Sequence, residues 1–219
     1  MQANVFLHNA LIVLVALAAI ALAWLSVDPY YGYAKAAATI VILAFYLRFA
    51  RDLSGLDYLL GALALVFCLG GDIALLFDGG FLAGLSSFLV GHLLFVWLFS
   101  RLAQGELSWL AVLFVFAVGA GYYIYISAGL ATMAIPVAVY VAVISLMAAW
   151  GMSLHSRLGS AASMLIMLGG FSFLISDSVL SYNRFVSPDP LWHPVVLSTY
   201  WLSLTLIVNG LAKIKQSNY

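Results

Sequence analysis

Hydrophobic residues arrive along this chain in long runs divided by short polar connectors, and nothing alternates with a period of two. The runs fall at about 8–25, 33–49, 57–76, 82–100, 107–126, 130–150, 159–180 and 193–212. A hydrocarbon layer about 30 Å thick is crossed by roughly 20 residues of helix, so each run predicts one membrane-spanning helix. The connectors are Arg51-Asp52-Leu53-Ser54-Gly55, Asp78-Gly79-Gly80, Gln104-Gly105-Glu106 and Ser187-Pro188-Asp189-Pro190. Short stretches of Gly, Pro, Ser and Asp read as turns between antiparallel helices. The lack of ten-residue alternating segments argues against an outer-membrane barrel. The expected fold is all-α: a polytopic bundle of eight transmembrane helices in a single domain, 1–219, with no soluble domain. The first run has no preceding Lys or Arg and reads as a retained helix rather than a cleaved signal.

Composition supports the pattern. The chain has 219 residues, 66% of them hydrophobic and 7% charged, and its mean hydropathy is +1.14. A soluble domain is about 45–50% apolar and about 25% charged, so there is too little charge here to cover a water-facing surface. A cytosolic enzyme, a nucleic-acid-binding domain and a disordered tail are excluded. Net charge is zero, so no global field draws polyanions, and no nucleic-acid partner is expected. The partner is the lipid bilayer, and the sequence points to no protein partner. The one cysteine, Cys68, excludes a disulfide framework and multi-cysteine metal sites.

The few charges orient the bundle. With an even number of spans both termini share a side, and that side receives Arg48, Arg51, Arg101, Arg157, Lys213 and Lys215. The other side receives Arg184, with Lys35 just inside the second span. By the positive-inside rule both termini are expected in the cytoplasm. A bacterial inner membrane suits that orientation, as does an endoplasmic reticulum.

Charged side chains at membrane depth cost roughly 2.5–3.5 kcal/mol each on insertion scales and usually face a cavity or a partner. Here they are Lys35, Asp72 and Asp177. The topology puts both Asp residues near the outer ends of their spans. It puts Lys35, His92, Tyr140, His193 and Tyr200 in the outer half or near the midplane. Polar residues with only structural roles would not be expected to segregate to one leaflet. Each has a plainer reading: an Asp that caps a helix or pairs with Lys35, a His92 bonded to a carbonyl, or Tyr31, Tyr33, Tyr200 and Trp201 in an interfacial aromatic belt. His8 and His155 fall at the other boundary, and the methionines read as core filler. Only His92 and His193 lie on the outer side, which disfavours a three-His zinc site. Gly-x-Ser-x-Gly, His-Glu-x-x-His and phosphate-loop patterns are absent. Gly70-Gly71 and Gly169-Gly170 suit close helix contacts. Leu69-x-x-Asp72-x-x-Leu75-x-Phe77 aligns with Leu174-x-x-Asp177-x-x-Leu180-x-Tyr182 at an offset of 105 residues. Four helices restore the chain direction, so this suggests a 4+4 parallel repeat.

Several blocks carry a further pattern. Gly71-Asp72-Ile73-Ala74-Leu75-Leu76-Phe77, Gly84-Leu85-Ser86-Ser87-Phe88 and Gly91-His92-Leu93-Leu94-Phe95 resemble the YhhN-like lysoplasmalogenase family. So do Pro136-Val137-Ala138-Val139-Tyr140 with Met147, and Phe173-Leu174-Ile175-Ser176-Asp177-Ser178-Val179-Leu180 with Phe185. Tyr200 and the run from Leu206 to Gly210 also fit. The ordered set extends from Lys35 to Gly210. It departs from the pattern at Ala36, where a proline is expected after the lysine.

The resemblance implies an integral membrane hydrolase acting on a lysophospholipid, the lysoplasmalogen, whose chain hangs from a vinyl ether. The products would be a fatty aldehyde and glycerophosphoethanolamine or glycerophosphocholine. Vinyl ether hydrolysis needs an acid to protonate the carbon remote from oxygen, and an anionic group. Two carboxyls in a low-dielectric site can supply both. Asp72 and Asp177 are therefore the expected acid/base pair, with the acid undecided between them. No metal or cofactor is called for. Lys35 is expected to hold one Asp ionised or to bind the lipid phosphate. Tyr140, His92, Asn183 and Tyr200 are candidates for water positioning or head-group contacts. The rival readings are a proton-linked transporter using the same Asp/Lys site and a non-catalytic lipid-binding protein. A transporter would favour broken helices, and only Pro136 is expected to interrupt a span.

Overall fold

The computed structural model describes residues 2–27 and 30–214. Lys215, counted above among the basic flanks, lies outside them. Eight long helices are present among the described residues: α1 (Gln2–Trp24), α2 (Tyr30–Phe49), α3 (Gly55–Ala74), α4 (Phe81–Leu102), α5 (Trp109–Ile126), α6 (Ala134–Leu158), α7 (Ala161–Phe185) and α8 (Trp192–Lys213). All eight are long and apolar enough to cross a membrane. The chain is a multi-pass integral membrane protein.

Helix ends follow local chemistry. The side chains of Ser54, Ser108 and Ser160 accept hydrogen bonds from backbone N–H groups in the first turns of α3, α5 and α7, which satisfies donors with no partner inside the helix. Gly159 ends α6 at φ +56°, a left-handed conformation that glycine adopts without strain. Some boundaries differ from the hydropathy reading. Residues 127–133 form two short 3₁₀ turns, so α6 starts at Ala134 and runs on to Leu158. Pro136 therefore sits in the first turn of α6, where a missing N–H breaks no intrahelical bond, and it does not interrupt the span. The helix α7 continues to Phe185, about two turns past Asp177, and its last turns carry Ser181, Asn183 and Arg184 to the walls of two cavities.

Neighbouring helices pack as α2–α3, α3–α4, α4–α6, α6–α7, α7–α8 and α8–α2, a closed ring of six. α1 lies outside against α2 and α8, and α5 lies outside against α6 and α7. The pairs α1–α2, α2–α3 and α3–α4 recur as α5–α6, α6–α7 and α7–α8. At the end of the bundle that carries most of the basic residues, Arg101 Nε lies 2.6 Å from Asp57 Oδ1. Near that end Asn9 and Asn209 exchange amide hydrogen bonds of 3.0 and 2.8 Å between α1 and α8.

Small residues let the ring close tightly. A Cβ on Gly169 of α7 would lie 2.6 Å from Ile207 Cγ1 and 2.9 Å from the Ser203 carbonyl oxygen on α8. A backbone carbonyl cannot rotate away as a flexible side chain can. Gly169→Leu is therefore expected to destabilise the protein by about 1–3 kcal/mol or more. Gly55→Ala, with nothing within 4 Å of the added carbon, should stay within about 0.5 kcal/mol. Denaturation of the purified variants in micelles measures both.

Candidate active site

The polar residues toward the end of the bundle that carries few basic residues form two clusters, one around each Asp. Asp72 lies on α3, two residues before its last, and is 1% exposed. Its Oδ2 accepts hydrogen bonds from Thr39 Oγ1 at 2.6 Å and from the Tyr200 hydroxyl at 2.8 Å. Lys35 Nζ stands 3.6 Å from its Oδ1. Lys35 and Thr39 are four residues apart on α2, a spacing that puts both on one face of the helix. Trp201 Nε1 donates to Thr39 Oγ1 at 3.3 Å, which fixes the hydroxyl from behind. Three helices, α2, α3 and α8, thus meet at one buried carboxyl.

Asp177 has a sparser setting. The Tyr140 hydroxyl donates to its Oδ2 at 2.5 Å, and His92 Nε2 lies 4.0 Å from the same oxygen. The His92 ring packs edge-on against Phe173 and Tyr140, with centroids 4.4 and 5.2 Å away. Neither of its ring nitrogens has a hydrogen-bond partner among the described residues, so the carbonyl-bonded packing histidine is not what forms here. The Asp177 side chain is 13% exposed against 2% for Asp72. That difference is decisive for access.

The exposed part of Asp177 looks into two spaces. One is an apolar pocket of about 130 Å³ between α4, α5, α6 and α7, walled by Leu85, Phe88, Val118, Val137, Ile144 and Leu174 among others. The other is a polar cavity of about 570 Å³ that Lys35, Asp72, Asp177, Asn183, His193 and Tyr200 line. Asp177 borders both; Asp72 and Lys35 border only the polar cavity, and Tyr140 only the apolar pocket. Asn183 is at the rim, where its Oδ1 accepts from the Asp189 backbone N–H at 2.8 Å and ties down the α7–α8 turn.

The structure thus gathers Lys35, Asp72, Asp177, Asn183 and Tyr200 around one cavity, with Tyr140 and His92 beside Asp177. Two expectations change. Tyr200 and Trp201 are buried, 4% and 2% exposed, so they belong to the interior and not to an aromatic belt, whereas Tyr33 is 71% exposed. Thr39 was not singled out from the sequence, although its i+4 relation to Lys35 was the signal available.

An eight-helix membrane protein with one carboxyl at the junction of an apolar pocket and a polar cavity, and a second on the polar side, is the class that this architecture defines. The chain belongs to the YhhN family, which it matches over residues 30–211. A human protein, Lysoplasmalogenase TMEM86B, is 32% identical over 146 residues, a stretch covering 66% of this chain and 59% of the human one. No solved structure matches the chain.

The Asp72 cluster makes a stability prediction. Removing one partner of a buried ion pair leaves an uncompensated charge, which costs about 3–5 kcal/mol. Lys35→Met is expected to destabilise the protein by about that much, and adding Asp72→Asn should recover a large part of the loss. Chemical denaturation in micelles of the two single variants and the double variant measures the coupling.

Proposed function

We propose that this protein is a lysoplasmalogenase: a membrane hydrolase that cleaves the vinyl ether of a lysoplasmalogen into a fatty aldehyde and a glycerophospho-ethanolamine or -choline. The observation that carries this reading is the position of Asp177 between an apolar pocket and a polar cavity. A vinyl ether is where the hydrocarbon chain of this lipid meets its polar glycerol. Kinship with the YhhN family and with the human lysoplasmalogenase supports the same reading.

The two aspartates divide the chemistry. Asp72, facing the Lys35 ammonium and accepting from two hydroxyls, is the carboxylate. Asp177, with one hydroxyl donor on Oδ2, carries the proton on its other oxygen. In the first step Asp177 gives that proton to the vinyl carbon remote from oxygen. The double bond is consumed and an oxocarbenium ion forms, stabilised by the Asp72 charge across the cavity. Tyr140 and His92 then attend the Asp177 carboxylate left behind. A cavity water adds to the cation, and its proton returns to a carboxylate. The hemiacetal collapses by breaking the bond between the former vinyl carbon and the glycerol oxygen, which gives aldehyde and alcohol. Protons balance, and the net reaction consumes one water.

The pairing of Asp72 with Asp177 at an offset of 105 residues extends to Lys35 and Tyr140, which are also 105 apart and each serve one Asp. This supports reading the two halves as a parallel duplication whose copies of the site have taken different roles. The basic flanks support cytoplasmic termini, and a bacterial inner membrane fits that orientation.

Purified protein, without an ion gradient, is expected to release fatty aldehyde from lysoplasmalogen. Asp177→Asn and Asp72→Asn should each lower the rate by about 10²–10⁴, the usual weight of general acid–base catalysis, while the variants remain folded. Full activity in both variants would overturn the mechanism. Gradient-dependent movement of lipid with no aldehyde would point to the transporter.

A further inference from the structure

The outer rim of the polar cavity holds charges that the hydrolytic chemistry does not use. Arg184 on α7 and Asp78 in the α3–α4 turn both line it, with Phe77 next to Asp78 and His193 and Asn183 close by. Lys35 already faces Asp72. Arg184 has no carboxylate within ion-pair distance among the described residues, and its guanidinium carbon lies 5.1 Å from the centroid of Phe81, at the rim of the same cavity. Asp78 has no cationic partner among the described residues either. A cavity rim with a guanidinium that faces an aromatic ring and no carboxylate on one element, and a carboxylate with no cationic partner beside an aromatic ring on another, is complementary to a zwitterion.

We propose that this rim is a head-group recognition site of the enzyme, in which Arg184 takes the phosphate and Asp78 with Phe77 takes the amine of a phosphoethanolamine or phosphocholine group. The assignment rests on the ether lysophospholipid reading above and names the part of that substrate which the aspartates do not touch. Guanidinium groups bind phosphate through paired, charge-assisted hydrogen bonds, and an ammonium suits a carboxylate beside an aromatic face.

Position agrees with chemistry. Arg184 follows Asp177 by seven residues, so both lie on one face of α7, separated by about 10.5 Å of helix rise. That order places the reacting bond deeper and the phosphate further out, as in a lipid whose glycerol joins the two. Asp78 and Asn183, also 105 residues apart, approach the rim from opposite halves of the chain. Arg48, Arg51, Arg101, Arg157 and Lys213 all sit at the other end of the bundle. Arg184 stands against that bias. A charge placed where the positive-inside pattern disfavours one calls for a local reason, and an anionic ligand supplies it.

The test uses saturated ether lipids, which lack the vinyl bond, so binding is read whether or not the protein hydrolyses anything. Three probes are titrated against the full chain in micelles: 1-O-alkyl lysophosphoethanolamine, 1-O-alkyl lysophosphatidic acid and 1-O-alkylglycerol. The wild type is expected to bind the first most tightly. Arg184→Gln should weaken the two phosphate-bearing probes by about tenfold or more, the loss of one charge-assisted hydrogen bond, and shift the alkylglycerol by less than about twofold. Asp78→Asn should weaken the phosphoethanolamine probe and leave the lysophosphatidic acid as tight or tighter. Equal weakening of all three by Arg184→Gln would make Arg184 a structural residue and overturn the proposal, as would unchanged affinity for the phosphoethanolamine probe. Aldehyde release from lysoplasmalogen, measured separately, shows whether the hydrolase reading itself fails.

Discussion

A carboxylate placed inside a membrane bundle must be met by donors, because the hydrocarbon layer offers it none. Asp72 is met by Lys35 and Thr39 from α2 and by Tyr200 from α8, while Trp201 holds Thr39 in place. These contacts join α2 and α8 to α3, and so fasten the place where the ring of six helices closes on itself. In the proposed mechanism the same contacts hold Asp72 as the anion of the site. Structure and chemistry share one set of hydrogen bonds, which is why Lys35→Met is expected to show both in denaturation and in the behaviour of the cavity.

The second carboxyl is useful because it is treated differently. Asp177 has one hydroxyl at 2.5 Å, an imidazole at 4.0 Å and a partly open face. The two Asp residues, 105 positions apart, thus reach unequal environments: the ammonium of Lys35 beside one, the phenol of Tyr140 beside the other. Inequality of this kind lets two identical side chains act as acid and as anion. The apolar pocket and the polar cavity meet at Asp177 alone of the two, so the more accessible carboxyl is also the one at the boundary between the apolar and the polar space.

Much of this was readable in the sequence, for a physical reason. Membrane helices must be long and apolar, so the spans stood out, and the cost of an intramembrane charge made Lys35, Asp72 and Asp177 conspicuous. Topology then put them on one side. What stayed hidden depended on which faces meet. Thr39 looks like any small polar residue in an apolar helix until Asp72 is seen beside it. Tyr200 is a site candidate in the sequence with a belt aromatic as its plainer alternative, and Trp201 reads only as a belt aromatic, because composition cannot tell an interface from an interior. The structure starts α6 at Ala134 rather than near 130, since Leu130, Ala131 and Met133 are apolar yet lie in the connection before it, and this moves Pro136 from the span interior to its first turn. Arg184 was noticed only as a count against a bias; its place at a cavity rim required α7 to run two turns past Asp177.

The central claim is that the two carboxyls rest in opposite protonation states, Asp177 neutral and Asp72 charged. Infrared difference spectroscopy on the purified protein in micelles reads this directly, through the carbonyl stretch of a protonated carboxyl. That band is expected in the wild type, retained in Asp72→Asn and lost in Asp177→Asn. A band lost in Asp72→Asn and kept in Asp177→Asn would contradict the account.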